Sequence, residues 1–73
     1  MIDPRFSTLR VFSSTGSVAR TAELTGYSPS AVSAQLRELQ RSLGIKLIAK
    51  EGRGVRLTSA GQQLVAGIDS IVT

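Results

Sequence analysis

Ser28 to Gly44 reads S-P-S-A-V-S-A-Q-L-R-E-L-Q-R-S-L-G, and the fold turns on this stretch. Ser28 supplies a capping hydroxyl, Pro29 suits a first helical turn, and Gly44 suits a helix end. Val32, Leu36, Leu39 and Leu43 recur at helical spacing and predict a buried stripe. The opposite face carries Ser30, Ser33, Ala34, Arg37 and Arg41. Small side chains come first on that face and guanidinium groups follow. A helix built this way fits a DNA major groove with its N-terminal end against base edges. An ordinary amphipathic surface helix carries the same pattern, so the flanking residues decide between the two.

Upstream, Asp3 and Pro4 form a cap and first turn for a helix running to about Ser13, with Phe6, Leu9 and Phe12 inward. The run S-S-T-G-S ends it at Gly16. Ser17 caps a second short helix from Val18 to about Leu24, with Val18 and Ala22 on one face. The four residues Thr25 to Ser28 join it to the long helix. So short a connection, with Gly26 in it, forces a steep crossing and gives the layout of a helix-turn-helix.

Downstream of Gly44 the period changes. Ile45 and Leu47, then Val55 and Leu57, alternate, and E-G-R-G separates the two runs. This predicts a short hairpin with a flexible tip. A hairpin directly after a recognition helix is a wing. Thr58 then caps a final helix, in which Leu64, Ile68 and Ile71 form a stripe that Val65 and Val72 widen. So apolar a helix in so small a chain is expected to pack on a second copy. Folding back onto the first helix is the competing arrangement. The expected fold is therefore mainly α: a winged helix-turn-helix with a three-helix core, a hairpin wing and a C-terminal linker helix. Residues 1–58 form the winged domain, and residues 59–73 begin the dimerisation helix.

Charge supports a polyanionic partner. The 73 residues carry a net charge of +4. Between Arg37 and Arg56 lie six basic residues and two acidic ones, so this third of the chain accounts for the whole excess. Basic clustering of this kind suits nucleic acid, although it also suits a plain solvated surface. The chain has no cysteine and no histidine, which excludes disulfides, thiol chemistry and Cys/His zinc sites. Its five acids are scattered and its serines lack a recognisable base, so no enzymatic activity and no cofactor are expected. No apolar run approaches the roughly 20 residues of a bilayer span. The opening M-I-D-P-R-F is not a secretory signal. A cytoplasmic location without a membrane partner is expected.

The ordered set of motifs resembles the N-terminal DNA-binding domain of LysR-type transcriptional regulators, from about Phe6 to Val72. It consists of L-R-V-F at Leu9–Phe12, G-S-V-A-R-T-A-E-L at Gly16–Leu24, and S-P-S-A-V-S-A-Q-L-R-E-L at Ser28–Leu39. L-G-I-K-L at Leu43–Leu47 and G-V-R-L-T-S-A-G at Gly54–Gly61 complete it. The chain departs from the family's habit at Ile48, Lys50, Pro29-Ser30 and Ala34, the last two on the reading face. The resemblance implies a regulator whose larger C-terminal domain, absent from this chain, binds a small effector.

Side-chain chemistry then assigns roles. Pro29, Ser30, Ser33 and Ala34 are the candidate base contacts, the apolar ones suited to a thymine methyl. Ser17, Ser28, Arg37, Arg41 and Lys50 are the candidate backbone contacts, and two helix N-termini add a partial positive charge. Gln35 lies at the edge of the reading face. Arg53, between Gly52 and Gly54, is the candidate minor-groove residue. Because the helix tip lacks a bidentate reader, shape readout is expected to carry much of the specificity. Pairing through Leu64, Ile68 and Ile71 predicts a homodimer on an inverted-repeat operator. A winged-helix protein-interaction module without DNA binding is the alternative.

Overall fold

Three helices end on glycine and begin on a side-chain cap, which is why local sequence divides them so cleanly. In the computed structural model, which describes residues 3–72, α1 spans Pro4–Thr15, α2 Val18–Thr25 and α3 Pro29–Leu43. The carboxylate of Asp3 accepts from the Arg5 N–H, the Ser17 hydroxyl from the Arg20 N–H, and the Ser28 hydroxyl from the Ala31 N–H. Each bond satisfies one of the donors that a helix start leaves without an intrahelical partner. Gly16, Gly26 and Gly44 close the three helices in the left-handed conformation. Both α1 and α2 run slightly past their expected ends, to Thr15 and Thr25. Only Gly26–Ser28 therefore separates α2 from α3.

The core joins all three helices to the hairpin base. Leu9, Phe12, Ala22, Val32, Leu36, Leu39, Leu47, Ile48 and Val65 are buried, with Phe6, Val18, Val55, Leu57 and Leu64 packed around them. Removing each large aliphatic or aromatic side chain from water stabilises the fold by roughly 1.5–3 kcal/mol. Polar groups at the α1–α2 corner are satisfied locally. The buried Thr21 hydroxyl bonds the Ser17 carbonyl at 2.7 Å and the Thr15 hydroxyl at 2.9 Å.

Two expected features differ. Leu43 is 38% exposed rather than part of the buried stripe. It is the last residue of α3, one turn beyond Leu39 and next to the Gly44 cap. The hairpin also begins later than alternation suggested: β1 is Ile48–Glu51 and β2 is Gly54–Leu57, so Ile45 lies outside it and is exposed. The antiparallel register pairs Ile48 with Leu57 and Glu51 with Gly54. Beyond Leu57 the chain turns into α4, Ser59–Val72, so residues before Ile48 have no strand to pair with. The tip is just Gly52-Arg53. Gly52 has φ 58°, and among the described residues no non-glycine has positive φ, which are the φ signs of a type II′ turn.

Thr58 caps α4 as expected, its hydroxyl accepting from the Gly61 N–H at 3.0 Å. The helix then returns to α1. Val65 enters the core, Leu64 packs against it, and Arg10 bonds Asp69 at 2.8 Å. Part of the stripe read as a dimer face is therefore used within the chain itself. Ile68 is half-buried, and the side chain of Ile71 lies outside the described residues.

Candidate nucleic-acid interface

The N-terminal half of α3 and the wing share one cleft. Its walls are Val18 at the start of α2, Ser33 on α3, and Lys50, Arg53, Gly54 and Val55 on the hairpin. Strand alternation explains which side chains reach it. Lys50 and Val55 are register partners and share a face with the buried Ile48, the face turned to the helices. Glu51 and Arg56 stand on the other face as diagonal neighbours, joined at 3.3 Å. The cleft is thus lined by two cations and by no carboxylate.

Ion pairing concentrates the net charge at this side. Asp3 bonds Arg5, Glu23 bonds Arg20, Glu38 lies near Arg5 and Arg41, Glu51 bonds Arg56, and Asp69 bonds Arg10. Among the described residues, Arg37, Lys46, Lys50 and Arg53 have no carboxylate within 4 Å. These four cations equal the net charge of +4. Three of them lie on α3 or the wing strands and tip.

Ser28, Pro29, Ser30, Ala34 and Arg37 are exposed along α3, and Ser33 is half-buried in the cleft. Arg41 is also exposed, but its guanidinium lies 3.7 Å from Glu38, a carboxylate it shares with Arg5. This makes it the weakest of the expected phosphate ligands. The Ser17 and Ser28 hydroxyls are engaged as caps, and each retains its own proton to donate. Gln35, expected at the edge of the reading face, is turned toward α1, where its Oε1 accepts from the Thr8 hydroxyl at 2.6 Å. It is a tether between helices.

Two residues that position the site carry no obvious sequence signal. Gln40 on α3 bonds two backbone amides at the start of the wing. Gly61 is buried in the first turn of α4, where a Cβ would come within 2.7 Å of the Leu47 carbonyl oxygen and of Leu57 Cδ1. For Gln40 the partners lie across a loop and leave no local trace.

Residues 5–62 match the family of bacterial regulatory helix-turn-helix proteins designated lysR. The chain belongs to the LysR family. This LysR-family chain superposes on a transcriptional regulator of the same family from Eggerthella lenta with TM-score 0.82 and 30% identity, over 94% of this chain and 99% of that one. It has the fold of CbnR_DBD in a complex with DNA, with TM-score 0.85 and 24% identity over 99% of this chain and 83% of that one. It is 33% identical over 58 residues to the HTH-type transcriptional regulator YofA of Bacillus subtilis strain 168, a match covering 80% of this chain and 20% of YofA. The chain spans about one fifth of the length of the curated relatives it matches. Among the described residues no helix is long and apolar enough to cross a membrane.

Proposed function

We propose that this LysR-family domain binds double-stranded DNA as the reading head of a transcriptional regulator. The start of α3 enters the major groove, with Pro29, Ser30, Ser33 and Ala34 toward base edges. Arg53 at the wing tip reaches the adjacent minor groove, and Ser17, Ser28, Arg37 and Lys50 hold phosphates. The observation that carries this reading is the acid-free cleft shared by Ser33, Lys50 and Arg53, whose two cations have no carboxylate within 4 Å among the described residues.

Two copies joined through α4 would present two recognition helices to one side of an inverted-repeat operator. In this reading, effector recognition belongs to the portion of the relatives that lies outside the matched segment. No reaction is assigned to the domain.

A salt titration tests the reading. With a duplex selected from random sequences, log affinity should fall against log salt with a slope of about −1.8 per domain if Arg37 and Lys50 each neutralise one phosphate, and more steeply if further cations contribute. Absence of duplex binding, or binding indifferent to salt, favours a protein-interaction module instead.

A further inference from the structure

One side chain of the recognition helix reaches two backbone amides at the base of the wing. Gln40 Oε1 accepts from the Leu47 N–H at 2.9 Å and from the Ile48 N–H at 3.1 Å. Both partners are donors, so only the amide oxygen fits between them. Leu47 is fully buried and Ile48 is 8% exposed. Leu47 precedes β1, so without Gln40 its N–H would be a donor stranded among apolar side chains. From the far side, the Thr58 N–H donates to the Leu47 carbonyl at 2.9 Å, and the Thr58 hydroxyl donates to the Lys46 carbonyl. Leu47 is thus held from both sides, by α3 and by the cap of α4, while Ile48 is tied to α3 and Lys46 to Thr58.

Leverage makes this grip matter. Four strand residues at about 3.3 Å each put the tip some 13 Å from the base. A tilt of about 10° at Ile48 then carries Arg53 roughly 2 Å, beyond the ~0.5 Å placement that a recognition site tolerates.

We propose that Gln40 is a positioning residue: it fixes the distance between the reading face of α3 and Arg53, and so sets preference for the base pairs flanking the core site. The inference rests on the DNA-binding reading of the cleft. A merely structural bond would support both groove contacts equally, whereas a positioning bond acts on the wing contact alone.

The experiment compares wild type, Gln40→Leu, Gln40→Met and Gln40→Glu on two duplexes with the same core site, one A·T-flanked and one G·C-flanked. Leu and Met fill the space without an acceptor oxygen, and Glu restores one. Thermal melts report the folded fraction, and Met stands in should the Leu variant fail to fold. The Leu and Met variants are expected to bind the G·C-flanked duplex as wild type does and to lose about tenfold on the A·T-flanked one, the size of one lost base-pair discrimination. The Glu variant is expected to recover the preference. Equal loss on both duplexes in the Leu and Met variants, or no loss on either, overturns the positioning role; the added charge of Glu lowers both affinities alike and leaves the preference readable.

Amide exchange at Leu47 and Ile48 and backbone relaxation at Arg53, both without DNA, read the grip independently. Faster exchange and a looser tip in the Leu and Met variants, reversed in the Glu variant, support it. Unprotected amides in wild type, or a tip unchanged by removing the oxygen, overturn it. Wild type that binds neither duplex defeats the DNA reading of the cleft, and the grip is then judged on these amide measurements.

Discussion

Arg53 stands between two glycines, at the second position of a two-residue turn, exposed and without a carboxylate within 4 Å among the described residues. An arginine so placed is drawn to a narrow A·T-rich minor groove. Arg53→Ala is therefore expected to weaken binding about tenfold more on A·T-flanked than on G·C-flanked duplexes; equal losses in a gel-shift series would remove the groove role. Lys50 and Arg56 offer a second contrast at this scale. They lie on opposite faces of the hairpin, Lys50 toward the cleft and Arg56 against Glu51. Lys50→Ala should lower the salt slope by about one phosphate, and Arg56→Ala should change it much less. Identical slopes for the two variants would contradict the facing assigned to them. Residue chemistry was legible in the sequence where it acts over one turn: Asp3, Ser17, Ser28 and Thr58 all cap as their types suggest. It was illegible where the partner is remote. Nothing local announces that Gln35 answers Thr8, 27 positions away, or that Gln40 answers Leu47 and Ile48.

At the scale of elements, the first turn of α4 and the entry to the wing touch backbone to backbone. The space that a Gly61 side chain would need is held by the Leu47 carbonyl and Leu57. Gly61→Ala should therefore cost roughly 1–3 kcal/mol despite the higher helix propensity of alanine. Thermal melting checks this, and a variant as stable as wild type would show that the contact yields freely. Helical period found the inward faces correctly, because period follows from geometry that every α-helix shares. It could not say how far along a helix the cover extends. That is why Leu43 keeps the phase of Leu39 and is nonetheless exposed. The hairpin was legible as a hairpin, but its start depended on where β2 ends. Thr58 turns the partner strand into α4, so the ladder begins at Ile48 and leaves Ile45 outside.

At the scale of the whole molecule, α4 divides its apolar stripe. Val65 and Leu64 serve the chain's own core, and Asp69 is bonded to Arg10. Ile68 is left as the described member of the stripe most available to a second copy. Ile68→Glu should spare the fold and reduce affinity for a duplex with two half-sites by roughly hundredfold or more, while single half-site affinity stays unchanged. Sedimentation and binding on both duplexes check this, and unchanged two-site affinity would remove α4 from pairing. Charge follows the same division of labour. Five acids are taken up by ion pairs, and the excess cations gather on α3, the residues after it and the wing. A reading head made of α3 and the wing must meet the duplex with this side of the molecule. Amide chemical-shift mapping with a selected duplex tests that most directly. Perturbations are predicted at residues 28–34 and 52–54, with little change at Ser7, Arg10 and Asp69 on the α1–α4 side. Perturbations centred on Ser7, Arg10 and Asp69, with α3 and the wing tip unmoved, would contradict it.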